Sequence, residues 1–224
     1  MNQIAPDTFH IPLSPRDGVN AYLLGGVLVD TGLKSSAKKI LGALKGHAVT
    51  AVALTHAHPD HGGSARRISE ELGVPLWTGA ADREAMETGV TAKKPTWDRP
   101  GLGKVADLLG SFPGAPVARD LREGDQLSAG FTVIDTPGHS PGHVSFWRES
   151  DRVLVCGDVF LNMHLITTVP GLRQPPAAFT PDPDLNRQSE RKLARLEPSI
   201  AGFGHGPVID GDAAAQMARF VAKL

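Results

Sequence analysis

The sequence predicts an α+β protein in which layered β-sheets are covered by helices. Short, nearly all-apolar segments such as Ala51-Val52-Ala53-Leu54 are typical of strands that are covered on both faces. Segments with helical spacing are mixed with these strands along the whole chain, which favours layers of helix and sheet. Polar clusters rich in His, Asp and Gly follow several strands directly. Together these observations predict one domain over residues 1–224 with a site at strand ends.

The first half of the chain predicts a hairpin followed by strands that alternate with helices. Gly25-Gly26 separates two β-rich runs, which is a hairpin signature. Ser35 or Ser36 is a candidate N-cap for a helix that carries Ile40 and Leu44 on one face. We expect strands over residues 19–24, 27–30, 49–54 and 74–77, and helices over residues 35–44 and 64–72.

The second half repeats this alternation after a loop-rich insertion. Residues 87–116 contain several prolines and glycines and one short predicted helix at 104–109. An insertion of this length is either a lid over a site or an ordinary surface excursion. Beyond it we predict strands over residues 126–134, 143–147, 152–155 and 199–203. A proline-rich crossover is expected over residues 170–183, and helices over residues 184–196 and 213–221.

Composition excludes several classes of protein. Of the 224 residues 41% are hydrophobic and 21% are charged, as in ordinary globular proteins. The net charge of −1 gives no electrostatic attraction to nucleic acid or anionic membrane. The single cysteine, Cys156, cannot form an intrachain disulfide. Neither a secretory signal nor a run of ~20 apolar residues is present. We expect a soluble, cytoplasmic protein with a small-molecule substrate and neither a nucleic-acid nor a membrane partner; its oligomeric state is not indicated.

The most informative motif is His56-Ala57-His58-Pro59-Asp60-His61, which directly follows an apolar strand. Imidazole and carboxylate are the usual ligands of a catalytic zinc ion, which takes about three of them and keeps one position open. His56 and His58 stand at i and i+2, so at the end of an extended segment they point the same way. Asp60 and His61 are adjacent and diverge, which suits a second metal. A loop of merely solvated histidines is the alternative.

Three further polar clusters also follow predicted strands. They are Thr136 to His143, Gly157-Asp158 and Gly204-His205-Gly206. Glycine beside each candidate ligand allows a sharp turn and a close approach to a metal. Each cluster alone is a weak signal, because a histidine between glycines is more often a turn residue. Their order after the first cluster makes the set specific.

With these motifs, and with Asp30-Thr31-Gly32, the chain resembles the metallo-β-lactamase fold superfamily over about residues 8–210. The resemblance implies a four-layer αββα sandwich with the site at one edge. It also implies that His56, His58 and His139 hold a first metal, that Asp60, His61 and His205 hold a second, and that Asp158 bridges both. Asp30 and His143 are expected to support these ligands from behind rather than to bind metal.

The ligand set implies a hydrolase with two zinc ions per chain, with iron or manganese as possible alternatives. Two metals ~3.5–4 Å apart hold a bridging hydroxide and polarise the electrophile. Asp60, which is expected to have one oxygen on metal, is the candidate catalytic residue, since its other oxygen can orient this hydroxide or take its proton. The chain resembles compact glyoxalase II-like hydrolases more than the lactamases proper, so a small thioester, ester or lactone is the expected substrate. Glutathione specificity is not expected, because the chain ends soon after His205 and lacks the helical C-terminal extension that binds glutathione in glyoxalase II.

Four other functions compete with this interpretation. A persulfide dioxygenase-like enzyme would bind a single Fe(II) through two histidines and an aspartate. A β-lactam hydrolase and a phosphodiester or nucleic-acid hydrolase belong to the same superfamily, and a degenerate binding module would have no activity. Specificity is expected to depend on residues 91–97, which include Trp97, and on residues 164–179.

Overall fold

The computed structural model describes residues 1–91 and 111–224, and within them a seven-stranded sheet is built from the first half of the chain. Its strand order follows the sequence, β1 to β7. Strands β1 to β4 are antiparallel neighbours, whereas β4 to β7 are parallel. The strands are Asn2–Ala5, Thr8–Pro12, Asn20–Leu24, Val27–Val29, Ala51–Ala53, Leu76–Gly79 and Arg119–Leu121.

Helices connect the parallel strands of this sheet. α1, α2, α3 and α4 span Ala37–Ala43, Pro59–Gly62, Ala65–Leu72 and Arg83–Thr88. A 3-10 turn at Ala80–Asp82 lies between β6 and α4. A second 3-10 turn, Pro15–Asp17, lies between β2 and β3. The parallel β–α–β connections bring the ends of β4, β5 and β6 to the same edge of the sheet.

The second half of the chain forms a five-stranded sheet with the order β14-β13-β10-β9-β8 and a separate two-stranded hairpin, β11-β12. Only β10 and β13 pair in parallel among these strands. Strands β8 to β14 are Thr132–Asp135, Val144–Arg148, Val153–Val155, Leu161–Met163, Pro170–Arg173, Ile200–Gly202 and Ile209–Asp210. Helices α5 and α6 span Pro183–Ala194 and Ala213–Val221.

Three apolar clusters separate the layers. One lies between the first sheet and its helices and includes Ile40 and Ile68. A second lies between the two sheets and includes Phe131 and Phe146. The third lies between the second sheet and α5 and α6 and includes Leu193. Three interlayer cores define four layers, so the predicted αββα sandwich is confirmed.

Alternation along the central strands explains why they are apolar throughout. In β5, Val52 faces the helix layer and Ala53 faces the other sheet. In β10, Leu154 faces helices whereas Val153 and Val155 face the first sheet. Successive side chains of a strand point to opposite faces, so a strand that is covered twice has no polar position.

The structure corrects two sequence-based predictions. The strand predicted at 126–134 is interrupted by a 3-10 turn, Ser128–Gly130, in which Ala129 has a φ of 55°. The crossover predicted at 170–183 begins with a strand, β12. Pro170 is compatible with this strand because it occupies the first position, where a missing N–H is tolerated. Its partner β11 was not predicted. The helix expected at 104–109 and most of the lid at 87–116 lie outside the described residues.

Candidate metal centre

The predicted histidine cluster lies where β5 ends and a tight turn into α2 begins. Residues 54–58 form the loop, and Pro59 starts the short helix that carries Asp60 and His61. The segment after β4 fixes this turn. The Thr31 N–H donates to the His61 carbonyl at 2.7 Å, and the Thr31 hydroxyl donates to the same oxygen at 2.6 Å. Proline at the first helical position suits the start of a helix.

The other candidate ligands reach the same place from the second sheet. His139 lies in the loop between β8 and β9, Asp158 follows β10, and His205 follows β13. Within the described residues, three groups have ligand atoms within 4.8 Å of one another: His56, His58 and His139; His56, His61 and Asp158; and Asp60, His61 and His205. All seven side chains predicted as ligands are therefore brought together.

Hydrogen bonds on the far side of each ring fix which nitrogen faces the centre. His56 Nδ1 lies 3.0 Å from the Thr55 hydroxyl, whose own proton is directed to the Asp30 carboxylate. His61 Nδ1 donates to Asp30 Oδ2 at 2.9 Å, and His205 Nδ1 donates to the Gly18 carbonyl at 2.6 Å. With the proton on Nδ1, each ring presents the lone pair of Nε2 to the centre.

His139 is held in the same way. Its Nδ1 lies 3.3 Å from the Thr180 hydroxyl, which itself donates to the Pro176 carbonyl. His58 differs, because its Nδ1 is the inward nitrogen and lies 2.9 Å from His56 Nε2. Two facing imidazole nitrogens at this distance need a proton or a cation between them.

The inward atoms fit a metal. His61 Nε2, His139 Nε2 and Asp158 Oδ1 are buried without a hydrogen-bond partner, although buried polar groups are nearly always paired. Asp158 oxygens lie 3.5 Å from His61 Nε2, 3.6 Å from His139 Nε2 and 3.2 Å from His205 Nε2. Ligand atoms on one tetrahedral zinc ion lie roughly 3.3–3.6 Å apart, given zinc–ligand distances of ~2.0–2.2 Å.

The electrostatics divide the ligands into two kinds. Burial, helped by neighbouring imidazoles, holds the pKa values of His56 and His139 well below the usual range. Burial opposes protonation of His61 and His205 too, but nearby carboxylates outweigh it. Asp158 and Asp30 raise the pKa of His61, and Asp158 and Asp60 raise the pKa of His205 to about 10. The acidic side of the centre thus attracts positive charge.

Two residues support the ligands as the sequence predicted. Asp30 accepts from His61 Nδ1 and also from the Thr55 N–H at 2.8 Å. His143 accepts the Asp158 backbone N–H on Nε2 at 3.1 Å, while its Nδ1 lies 2.9 Å from the Thr136 hydroxyl. Both ring nitrogens of His143 are therefore engaged, and burial lowers its pKa to about 3.

Sequence reasoning missed other residues that hold the centre. Asn20 donates through Nδ2 to the carbonyls of Phe203 and Gly206 at 3.0 and 2.8 Å, so it clamps both sides of His205. Asp82 accepts from the loops that carry His56 and His139. Asn20 could have been noticed as a polar residue in an otherwise apolar strand, whereas no feature of the sequence marked Asp82.

Comparison with known proteins agrees with this fold and site. The family model of the metallo-beta-lactamase superfamily matches residues 14–205. The chain therefore belongs to this superfamily, and it is a metal-dependent hydrolase of that class.

Individual relatives agree with this assignment. The probable metallo-hydrolase YflN of Bacillus subtilis is 33% identical over 203 residues, which cover 83% of this chain and 76% of YflN. The crystal structure of TTHA1623 in a di-iron-bound form has a TM-score of 0.70 and 29% identity, covering 93% of this chain and 98% of TTHA1623. The hydroxyacylglutathione hydrolase of Methylococcus capsulatus is 31% identical over 107 residues, which cover 46% of this chain and 31% of that enzyme.

Among the residues described, no helix is both long and apolar enough to cross a membrane.

Proposed function

We propose that this chain is a dinuclear, zinc-dependent hydrolase of small thioesters, esters or lactones. The position of Asp158 carries the proposal, because its carboxylate lies within 3.6 Å of inward imidazole nitrogens from both proposed ligand groups. A carboxylate placed in this way could be a ligand to two cations. When bound, such cations would supply Lewis acidity and lower the pKa of a coordinated water to about 7.

The proposed ligands divide as the resemblance implied. His56, His58 and His139 would hold one cation, and Asp60, His61 and His205 would hold the other. Asp158 would contact both. Neutral imidazoles predominate in the first group and carboxylates surround the second, so two cations would share a net negative set of ligands.

Asp60 is proposed as the residue that takes the proton during hydrolysis. Its side chain is 35% exposed, whereas that of Asp158 is 7% exposed, so only Asp60 is open to a water or a substrate. Its Oδ2 lies 3.3 Å from His205 Nε2. Without a bound cation, the hydrogen bond from His205 and the charges of His61 and His205 together outweigh desolvation and lower the pKa of Asp60, so this carboxylate is ionised at neutral pH.

The substrate is proposed to carry an apolar acyl group. Leu165, Ile166 and Val169 are exposed in the turn between β11 and β12, and Ile166 is 87% exposed. Strand β11, which leads into this turn, is tied to the site, because the Asn162 N–H donates to the His205 carbonyl at 2.8 Å. Ile166 is four residues beyond Asn162, and four residues of chain reach at most about 14 Å. Exposed apolar surface beside a site often marks a ligand-binding groove.

Likeness to hydroxyacylglutathione hydrolase supports thioester cleavage, and the same chemistry serves esters and lactones. The di-iron form of TTHA1623 makes iron a second candidate metal. In contrast to a dioxygenase with a single Fe(II), this chain has a full second group in Asp60, His61 and His205.

The test combines metal analysis with a substrate panel. Protein purified without added metal is expected to contain about two zinc ions per chain. Zinc-, manganese- and iron-loaded samples are then assayed on thioesters, lactones, phosphodiesters and a chromogenic cephalosporin. A single iron, or a dominant rate on the cephalosporin or a phosphodiester, would overturn the proposal.

Variants identify the responsible residues in the same assay. His58→Ala and Asp60→Asn are expected to lose bound metal or at least 100-fold in kcat/KM. His47→Ala is the matched control, because His47 is exposed and outside the cluster. Folded His58→Ala and Asp60→Asn proteins that retain both metal and activity would contradict the proposed site.

A further inference from the structure

We propose that Asp82 is a positioning residue that joins the loops carrying His56, His58 and His139, so that one of the two cations depends on it. Asp82 is 1% exposed and lies in the 3-10 turn Ala80–Asp82, after β6. This inference rests on the metal-binding part of the proposed function and is independent of the substrate.

The Asp82 carboxylate contacts both loops. Oδ2 accepts a hydrogen bond from the Ala57 N–H at 3.0 Å, and Ala57 is the residue between His56 and His58. The same oxygen accepts from the Ser140 hydroxyl at 2.6 Å, and Ser140 directly follows His139. Oδ1 accepts from the Gly142 N–H at 2.7 Å. One buried carboxylate thus fixes the backbone beside three proposed ligands.

Close packing shows independently that the Asp82 turn and the His139 loop fit together backbone to backbone. A Cβ atom at Gly79 would collide with the Gly142 carbonyl oxygen, and a Cβ atom at Gly142 would collide with the Asp82 backbone nitrogen. Both positions therefore require glycine. The Asp82 carboxylate is therefore held at a fixed distance from the His139 loop, because the two backbone segments cannot shift along each other.

Asp82 does not belong to any group of candidate ligands within the described residues. Its three donors satisfy it, so it acts through the loops and through its charge. Charge-assisted hydrogen bonds of this kind are about twice as strong as neutral ones.

Asp82 contacts the loops of one ligand group only, whereas a different carboxylate, Asp30, anchors His61 of the other group and also supports His56 through Thr55. Asp30 accepts from His61 Nδ1, whereas Asp82 accepts from the chain around His56, His58 and His139. Loss of Asp82 should therefore weaken one cation-binding step and spare the other. A residue with only a general role in stability would affect both steps alike.

The experiment measures stepwise binding of Zn²⁺ and Co²⁺ to metal-free protein, with the visible spectrum of bound Co²⁺ as a second readout. Asp82→Asn keeps the volume but replaces one acceptor oxygen with a donor. We expect it to weaken one step about 10–100-fold, the range seen when partners of metal ligands are lost. The other step should stay within about threefold, and the Co²⁺ spectrum should change. His58→Ala identifies which step belongs to this group.

Two further variants separate positioning from folding. Ser140→Ala removes one of the three contacts and is expected to weaken the same step less, so the test survives if Asp82→Asn does not fold. Met217→Ala is the matched control, since it loosens the buried core between the second sheet and its helices, a cluster that includes no residue of either loop. Unchanged binding in folded Asp82→Asn, no effect of Ser140→Ala, or equal weakening of both steps would overturn the inference. Wild-type protein that binds neither ion would instead refute the proposed function.

Discussion

His61 Nδ1 donates to Asp30 Oδ2 at 2.9 Å, and this buried pair sets the direction in which His61 faces the centre. Asp30 has a φ of +61°, in the left-handed region that few residues other than glycine, asparagine and aspartate adopt. The same carboxylate accepts from the N–H and the hydroxyl of Thr55, which in turn lies against His56. One strained backbone position thus orients two of the proposed ligands.

Asp30→Asn should weaken metal binding about 10–100-fold. Asparagine tolerates the backbone conformation, but its NH₂ group would face donors that now meet a carboxylate oxygen. Metal affinity measured by competition with a chromophoric chelator checks this expectation. Asp7→Asn is the control, because Asp7 also has a positive φ of 50° and is exposed. Equal metal affinities of the two variants would show that the Asp30–His61 hydrogen bond does not contribute to metal binding.

Cys156→Ala should leave kcat/KM within about threefold of the wild-type value. The thiol is buried, its Sγ lies 3.3 Å from the Gly202 carbonyl oxygen, and burial raises its pKa. A nucleophilic cysteine needs a lowered pKa and access to substrate. The folded protein should accordingly react with iodoacetamide far more slowly than unfolded protein does. Rapid alkylation that abolishes activity would reveal a cysteine mechanism.

Glu190→Gln should stabilise the protein more at pH 8 than at pH 5. Glu190 is buried on α5, and burial raises its pKa from 4.5 to about 7. Below pH 4.5 the carboxyl is protonated in both the folded and the unfolded state. As the pH rises to about 7, only the unfolded state ionises readily, so the unfolding free energy falls.

The difference in unfolding free energy between Glu190→Gln and wild type should therefore grow by on the order of 1–3 kcal/mol between pH 5 and pH 8. Chemical denaturation of metal-free protein at the two pH values measures it. Glu70→Gln serves as the control, because Glu70 is exposed on α3. A difference that does not vary with pH would mean that Glu190 is already ionised in the folded protein.

Ile166→Ser should raise KM for long-chain acyl esters several-fold and leave kcat for short-chain esters unchanged. The reason is that Ile166 offers exposed apolar surface in the turn after β11, the strand whose Asn162 N–H donates to the His205 carbonyl. Each buried methylene is worth about 0.8 kcal/mol, so the effect should grow with chain length. Leu224→Ser, a change at another exposed apolar side chain, is the comparison variant. A KM that does not depend on chain length in either protein would remove the apolar groove from the proposal.

Much of the fold and the site followed from local patterns. The hairpin at Gly25-Gly26 forms β3 and β4, and both glycines have positive φ. The strand before His56 and the helices α3, α5 and α6 were predicted close to their observed bounds. In contrast, β11 escaped prediction, because its residues 161–163 follow Asp158 too closely to show a separate apolar period.

The sequence by itself predicted which residues form the centre, because four polar clusters follow apolar strands in an order that resembles the superfamily, although each cluster alone is a weak signal. Only the tertiary structure decided how these groups are held. Asp82 lies 25 residues from Ala57 and 58 residues from Ser140, and Asn20 lies 183 residues from Phe203. Contacts over such separations depend on how the two sheets pack and on which way each imidazole turns. No local pattern of residues encodes either property.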